Sequence, residues 1–477
     1  MSPIIVWFRQ DLRLADNPAL AHAAASGRPL LCLYILDDET SGRWRFGGAS
    51  RWWLDESLAA LGRELALLGG RLVLRRGPAE KILPAVVREI SAGAVVWNRC
   101  YEPYAVARDT ALKTHLANAG IETKSCNAAL LVEPWQIATK AGAPFRVFTP
   151  FWKALRQREV ARPAPVPRTL TFFAGTVAGD ALAAWRLAPI APNWADGFRP
   201  HWAPGEAGAA AKLDDFLIRA VDYPDLRDRP DLVATSRLSP HLHWGEISPR
   251  QAWHAIRAKT YELPDDGEKY LSELAWREFA YHLLYHFPTL PDEPLDAGFA
   301  EFPWTDDPAA FEAWSKGQTG IPIVDAGMRE LWQTGWMHNR VRMIVASFLT
   351  KHLLIPWQRG EAWFWDTLLD ADLANNAAGW QWVAGCGADA APFFRIFNPV
   401  LQGEKFDPEG DYVRRFVPEL TGLPARHIHR PWQAPAIALA EAGLRPGRNY
   451  PLPVVDLAAG RARALAAFRA RQPARKR

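Results

Sequence analysis

Four short apolar segments in the first third of the chain alternate with stretches of helical periodicity. The apolar segments cover residues 3–8, 30–36, 71–77 and 94–98, and helical patterns between them include residues 50–68 and 105–119. Strands that alternate with helices of this length predict a parallel, doubly wound α/β sheet. The chain contains neither GxGxxG nor GxxxxGK(S/T), so a nucleotide site of the glycine-loop kind is not supported.

The pattern changes after a proline-rich stretch. Residues 161–204 are rich in proline and lack sustained periodicity, which is typical of an extended connection. Beyond residue 205 the pattern is almost wholly helical, with amphipathic segments near 208–220, 248–259, 267–286, 323–334 and 338–352. We therefore predict an α/β domain at 1–130, a connecting linker at 131–204, an all-helical domain at 205–460 and a basic tail at 461–477.

The composition excludes several classes of protein. The chain has 477 residues, 49% of them hydrophobic, which is ample for two domains. Its net charge of +4 is too small to indicate a nucleic-acid partner by itself. Four widely spaced cysteines suggest neither disulfides nor zinc, and no apolar run approaches the ~18 residues of a membrane span. We expect a monomer in a reducing cytoplasm, with no membrane contact and no metal.

Three residues of the segment 370–407 recur at a spacing of four. Asp372, Asn376 and Trp380 would share one face of a helix. A carboxylate, a carboxamide and an indole on one face could bind the edge and the side of a flat heteroaromatic ring, such as a flavin. A capped helix with a buried tryptophan would give the same spacing.

A second candidate binding site lies at the sequence TSRLSP, residues 235–240. Ser239 and Pro240 would begin a helix whose free amides and positive end face outward, an arrangement that suits a phosphate group. An ordinary cap, as we predict at Ser248 and Pro249, is the commoner explanation of such a pair.

Two more helical segments carry polar residues on one face. Glu273, Trp276 and Arg277 share a face of the segment 267–286, where Glu273 and Arg277 could also form a simple i,i+4 ion pair. His282 and His286 on the same segment lack the glutamate of an HExxH zinc motif, so we interpret them as structural.

The segment 338–352 repeats this arrangement. Asn339, Arg342 and Met343 share one face, whereas Arg340 is turned aside toward solvent or DNA.

Together these stretches closely resemble the photolyase and cryptochrome family. The resemblance extends from IVWFRQDLRLADNPAL at residues 5–20, through the motifs at 235–250, 273–279 and 334–349, to GEKFD at 403–407. Within the family, the chain looks most like an enzyme that repairs cyclobutane pyrimidine dimers in DNA. The resemblance implies an α/β domain followed by a helical domain that binds FAD.

The resemblance also implies roles for individual residues. Arg342 would lie beside the flavin and pair with Asp370, and Asn376 would face flavin N5. The residues implied in FAD binding are Tyr223, Thr235, Ser236, Arg237, Leu238, Ser239, Arg342, Asp370, Ala371, Asp372 and Asn376.

The same resemblance implies a DNA site. Glu273 would hydrogen-bond the flipped pyrimidines, Trp276 would stack on them, and Met343 would line the lesion pocket. Glu273, Asn376 and Met343 are thereby implied as catalytic, and the residues implied at the DNA surface are Arg227, Glu273, Trp276, Arg277, Asn339, Arg340, Trp382 and Gln402.

Three tryptophans match the family's electron relay to the flavin. These are Trp304, Trp357 and Trp380, each of which core packing would also explain.

Departures from the motifs of particular family branches reduce the number of possible functions. The segment MHNRVRM at 337–343 lacks the catalytic histidine motif of (6-4) photolyases, and Asn376 stands where plant cryptochromes tend to carry aspartate. The alternatives are a cryptochrome-like photoreceptor that binds FAD without repair, and a flavoprotein of unrelated redox chemistry.

A second, antenna chromophore is also possible. Tyr104 and Ala105 replace the Asn-Glu pair of one known folate-binding mode. A deazaflavin, a folate bound differently, or no antenna are all compatible with the sequence.

Overall fold

A computed structural model describes residues 1–259, 264–390 and 394–471. Its sheet contains five parallel strands in the order β3-β2-β1-β4-β5, namely β1 (Ile4–Phe8), β2 (Leu30–Leu36), β3 (Leu72–Arg76), β4 (Ala94–Asn98) and β5 (Glu122–Cys126). The strands β1, β2 and β4 are buried along their whole length, as expected of central strands covered by helices on both faces. The predicted fold class, an α/β sheet followed by helices, is confirmed.

α-Helices lie between the strands and throughout the rest of the described chain. They are α1 (Pro18–Ala25), α2 (Gly48–Leu67), α3 (Ala79–Ile90), α4 (Pro103–Asn118), α5 (Phe148–Leu155), α6 (Glu206–Arg219), α7 (Tyr223–Leu226), α8 (Ser239–His243), α9 (Pro249–Lys259), α10 (Pro264–His286), α11 (Pro308–Ser315), α12 (Pro322–Thr334), α13 (Asn339–Ser347), α14 (Trp357–Thr367), α15 (Leu373–Ala384), α16 (Pro399–Phe406), α17 (Asp411–Phe416), α18 (Ala425–Ile428), α19 (Ala436–Glu441) and α20 (Leu457–Ala470).

Two details of the helices differ from the sequence patterns. The segment predicted as one helix at 338–352 consists of α13 followed by a π-helical stretch at Phe348–His352. The helix predicted to carry Asp372 begins at Leu373, so Asp372 precedes it. The side chain of Asp372 bonds to other parts of the fold, described below, instead of facing along α15.

The chain divides into two compact units. Unit 1 comprises residues 1–221, 236–288 and 369–374, and unit 2 comprises residues 222–235, 289–368 and 375–477. The boundaries predicted at 130, 204 and 460 stay predictions. Among the described residues no helix is long and apolar enough to cross a membrane.

Within unit 1, the loop after β1 fixes the turn that follows α8. The amide of Leu12 donates to the carbonyl of Trp244 at 3.1 Å, and the Arg13 guanidinium donates to the carbonyl of Gly245 at 2.8 Å. Gly245 has φ +65°, and a Cβ there would lie 2.2 Å from the carbonyl oxygen of Gln10. A glycine is therefore required both by the left-handed backbone conformation and by the close approach of the two backbone segments.

Candidate functional site

The TSRLSP segment forms a short turn in front of α8. Leu238 is buried, Arg237 adopts φ +52°, and α8 is only five residues long. The Ser236 hydroxyl accepts hydrogen bonds from the hydroxyl of Tyr270 at 3.1 Å and from the amide of Leu238 at 3.3 Å. The turn is thus held in a defined shape, although α8 is too short to offer a strong helix dipole.

The second predicted cap behaves as an ordinary cap. The Ser248 hydroxyl accepts from the amide of Gln251 at 2.9 Å, and the Gln251 side chain accepts from the amide of Ser248 at 2.8 Å. This reciprocal pair begins α9 and confirms the structural interpretation of Ser248.

Asp372 is a buried carboxylate among the predicted flavin contacts of unit 1. It is 4% exposed, and its Oδ2 accepts a hydrogen bond from the Tyr281 hydroxyl and lies 3.3 Å from Nδ1 of His243. Burial alone would raise the pKa of Asp372. The bond and charge of His243, with further contributions from Arg277 and Tyr281, instead hold it below its ordinary range. Asp372 is therefore a buried, ionised group.

Its neighbours in the sequence are also enclosed. Asp370 is 8% exposed and Ala371 is 1% exposed. The predicted pairing of Asp370 with Arg342 stays a prediction.

The face of α10 carries the three residues predicted to meet DNA. Glu273 forms an ion pair with Lys269 at 2.9 Å, one turn away. Trp276 stacks on Phe148 with ring centroids 3.7 Å apart and an angle of 8° between the planes, which fixes the orientation of the indole.

Arg277 takes different partners from those the i,i+4 alternative requires. It donates to the carbonyl of Ala129 at 2.7 Å, lies 3.6 Å from Glu278 and covers the ring of Tyr281. Arg277 therefore ties α10 to the segment after β5, and the half-buried Glu273 takes Lys269 as its cation.

In unit 2, the predicted DNA-contacting arginines are partly engaged by the protein. Arg340 forms an ion pair with Asp228 and lies over the ring of Phe406, and the Arg227 guanidinium lies 5.8 Å from the ring of the buried Tyr223. Both arginines are half-buried. Arg340 is thus less free toward solvent than the sequence pattern suggested.

The residues of α13 that are predicted to contact DNA or the flavin differ in their solvent exposure. Asn339 begins the helix and is exposed, whereas Arg342 and Met343 are half-buried. Nε of Arg342 donates to the carbonyl of Met337 at 2.8 Å, which holds the guanidinium against the start of its own helix. His338 caps α13 by accepting from the amide of Arg340.

Asn376 is buried on α15. Its amide nitrogen donates to the carbonyl of Glu361 at 3.0 Å, and this bond orients the side-chain amide. A carboxamide does not ionise, so the group keeps the same hydrogen-bonding pattern across the physiological pH range.

Trp380 and Trp357 belong to packed helices of unit 2. Both are buried, and a Cβ on Gly360, three residues after Trp357 on α14, would lie 2.1 Å from the Trp380 ring. Trp380 also contacts Phe364 and Trp314, with ring centroids at 5.0 Å and 6.2 Å. The indole therefore packs directly on the α14 backbone one turn from Trp357.

Trp304 is half-buried and packs on Phe302 at 4.5 Å. Electron transfer among Trp304, Trp357 and Trp380 stays a prediction.

Two further predicted DNA contacts occupy other parts of unit 2. Trp382 is half-buried beneath the guanidinium of Arg395, which lies 5.5 Å from its ring centroid. Gln402 lies on α16 and lines a groove of about 970 Å³ together with Arg430, Trp432 and Arg461.

The residues that surround Asp372 did not follow from the sequence motifs. His243 is part of the HLHWGE motif at residues 241–246, and Tyr281 lies one turn after Arg277 on α10. The two histidines flanking Leu242 were a usable signal, because a pair of imidazoles near an acidic residue commonly forms a buried polar network. In that motif His241 pairs with Glu246, which also accepts from Trp53 at 3.0 Å.

Several buried polar atoms near these residues have no hydrogen-bond partner. They are Trp380 Nε1 in unit 2, and His243 Nε2 and Glu102 Oε2 in unit 1. Buried polar atoms are normally satisfied, so such atoms are compatible with a polar ligand that is bound in the working protein. The donor set of hydroxyls, carboxylates and amides fits FAD, whose ring edge and phosphates offer complementary groups.

Comparison with known proteins identifies the family. The family model described as DNA photolyase matches residues 4–168, and the one described as FAD binding domain of DNA photolyase matches residues 270–470. The chain is 53% identical to a deoxyribodipyrimidine photo-lyase of Agrobacterium fabrum over 98% of both chains. It is 40% identical to cryptochrome-1 of Arabidopsis thaliana over 96% of this chain and 69% of that protein.

A solved structure gives the same result. The crystal structure of a bacterial class III photolyase from Agrobacterium tumefaciens superposes with a TM-score of 0.96 at 53% identity and covers 98% of each chain. Likeness at this level over the whole length extends to both the α/β sheet and the helical domain. The chain therefore belongs to the DNA photolyase family of FAD-dependent DNA-repair enzymes.

Proposed function

We propose that this protein repairs cyclobutane pyrimidine dimers in DNA by light-driven electron transfer. The observation that carries the proposal is the presence of Glu273, Trp276, Asn339, Met343 and Asn376 together in a chain 53% identical to a deoxyribodipyrimidine photo-lyase. The FAD that this chain would hold would supply the light-driven one-electron chemistry that splits the cyclobutane ring.

The protein's own residues bind the substrate. Arg227 and Arg340 supply contacts to phosphates, which give affinity without regard to sequence. The dimer is flipped out of the duplex, at a cost that is smallest for a damaged base whose stacking is already impaired. Trp276, whose plane is fixed by Phe148, provides the surface on which the flipped pyrimidines stack.

Glu273, Asn376 and Arg342 have separate proposed roles. Glu273 hydrogen-bonds the flipped pyrimidine and holds it in position for electron transfer. Asn376 would present to the bound flavin a carboxamide, which neither takes up nor releases a proton. Arg342 would supply a positive charge beside the bound flavin.

Trp304, Trp357 and Trp380 have a separate role. They carry electrons inward to reduce the oxidised cofactor and take no part in ring splitting. Indole is the most easily oxidised of the aromatic side chains apart from ionised tyrosine, and Trp380 and Trp357 are kept dry by burial.

The test uses purified protein and an oligonucleotide with one thymine dimer. The preparation should contain FAD that heat releases, because the proposed contacts include no nucleophile placed for covalent attachment. The chemically reduced protein should restore the dimer under blue light and leave it unchanged in darkness. A FAD-bound protein that turns over no dimer would instead support a photoreceptor like the plant cryptochromes.

A further inference from the structure

His243 lies at the centre of a buried polar cluster in unit 1. It ends α8, is 4% exposed, and places Nδ1 3.3 Å from Oδ2 of Asp372. The same carboxylate oxygen accepts a hydrogen bond from the Tyr281 hydroxyl. Two donors therefore converge on one oxygen of Asp372 and fix the direction of the carboxylate group.

Glu102 lies near enough to this pair to interact with the charges of both residues. It precedes α4, is 3% exposed, and its Oε2 has no hydrogen-bond partner, as is also true of Nε2 of His243. Burial raises the pKa of Glu102, and the negative charge of Asp372 raises it further, whereas His243 and Arg9 act in the opposite direction. The pKa values of the two carboxyl groups of the cluster are thus shifted in opposite directions.

Several polar and charged groups act on Asp372 within unit 1. His243 and Tyr281 bond to it, Arg277 acts on it from α10, and Glu102 and Tyr104 act from the start of α4. His243 contacts the carboxylate directly, through Nδ1. Removing the imidazole would take a hydrogen bond away from the ionised form of a buried carboxylate, and loss of such a bond makes protonation easier.

We propose that His243 is a positioning residue for the flavin site: its imidazole holds the Asp372 carboxylate in the direction that the cofactor requires. The inference rests on the proposed assignment of Asp372 to FAD. It predicts that His243 controls FAD affinity and the pH range over which FAD binds, although it need not touch the cofactor.

The test measures the dissociation constant of FAD as a function of pH. Wild-type protein, freed of FAD and titrated with it, should show nearly constant affinity between about pH 5 and about pH 8, since Asp372 stays ionised. His243→Phe should bind FAD at least about tenfold more weakly and lose further affinity toward acid pH. His243→Asn should recover most of the affinity, because its carboxamide N–H can replace Nδ1–H.

Control variants distinguish failure of this inference from failure of the proposed function. His115→Phe, an exposed histidine on α4, should behave as wild type. If Asp372→Asn loses FAD while His243→Phe keeps the wild-type affinity and pH profile, the inference is wrong and the proposed function stands. Equal loss in the phenylalanine and asparagine variants also overturns it. A wild-type protein without FAD affinity would contradict the proposed function itself.

A second measurement requires no substitution and so does not depend on the variants' folding. Ring ¹⁵N chemical shifts of selectively labelled histidine in the intact wild-type protein should show that Nδ1 of His243 carries a proton. A ring protonated at Nε2 alone near pH 7 would overturn the proposal, because Nδ1 could not then donate to Asp372.

Discussion

Glu273 has two interpretations, an ion pair on the surface of its own helix and a contact to the flipped pyrimidines. Its carboxylate pairs with Lys269 on the same helix, and its side chain keeps 24% exposure. If the glutamate served only that pair, loss of either partner would have the same small effect, since half-exposed i,i+4 pairs contribute about 0.3–0.5 kcal/mol. If Glu273 takes part in repair, loss of Glu273 should reduce repair much more than loss of Lys269 does.

We predict that Glu273→Ala lowers the yield of repair per absorbed photon while FAD content stays unchanged. We expect a loss of about 10- to 100-fold, because misplacement of a reacting group by about 1 Å costs on the order of 100-fold. The matched control is Lys269→Met, which removes the ion pair and keeps the carboxylate. Equal yields in the two variants and the wild type would reassign Glu273 to the helix surface.

Glu278 gives a prediction about stability. It is buried, and burial raises its pKa to about 7 despite Arg277 and the amides of Leu131 and Val132. An unfolded glutamate has a pKa of about 4.3, so the folded protein binds more protons in the interval between the two values. The free energy of unfolding contributed by this group is therefore fully present below about pH 4 and falls as pH rises toward about 7.

Glu278→Gln should remove that dependence, because an amide keeps the acceptor oxygen for Leu131 without an ionisation. Chemical denaturation of both proteins at several pH values measures the difference. The wild type should lose stability relative to the variant as pH rises from about 4.5 to about 7.5. A constant difference across this range would show that the pKa of Glu278 is ordinary.

At the scale of elements, hydrophobic periodicity predicted those parts of the fold that bury apolar faces. Strands β2 and β4 have the predicted bounds, and α12 agrees to within one residue. Strand β5 was not predicted, because its sequence ETKSC is polar and lies at a partly exposed edge. Periodicity also could not show the π-helical turn after α13, because it depends on which carbonyl each amide selects.

The same limit applies to the site. The positions of Glu273, Trp276 and Asn376 followed from motif resemblance, whereas the partners of Asp372 did not. His243 and Tyr281 come from α8 and α10, more than 90 residues away from it in the sequence. Spacing within one helix carries no information about such contacts, which arise only when separate elements pack.

The packing of α14 against Trp380 leads to a prediction about cofactor reduction. Trp357→Phe should abolish photoreduction of oxidised FAD by an external reductant, because phenylalanine keeps the packing but is much harder to oxidise. Repair by chemically reduced protein should remain. The control is Trp365→Phe, a buried tryptophan of the same helix that has no proposed role in the relay. Native photoreduction in Trp357→Phe would mean that electrons enter by another route.

At the scale of the whole molecule, the net charge is only +4. The affinity for DNA must therefore come mainly from local contacts between arginines and phosphates. We predict that binding of dimer-containing DNA weakens as salt rises, because binding releases cations condensed on the phosphates and this release is less favourable at a higher salt concentration. Replacing Arg340 by glutamine should reduce the slope of log K against log salt by about 1. Titrations at several salt concentrations measure it, and an unchanged slope would leave Arg340 solely as the partner of Asp228.

The measurement that tests the central claim most directly compares two defined lesions. Chemically reduced protein is mixed with one oligonucleotide that contains a cyclobutane thymine dimer and another that contains a (6-4) photoproduct, and the products formed in light and in darkness are separated by chromatography. We predict that only the cyclobutane dimer is restored, and only in light. Turnover of the (6-4) lesion, or of neither lesion by FAD-loaded protein, would contradict the account.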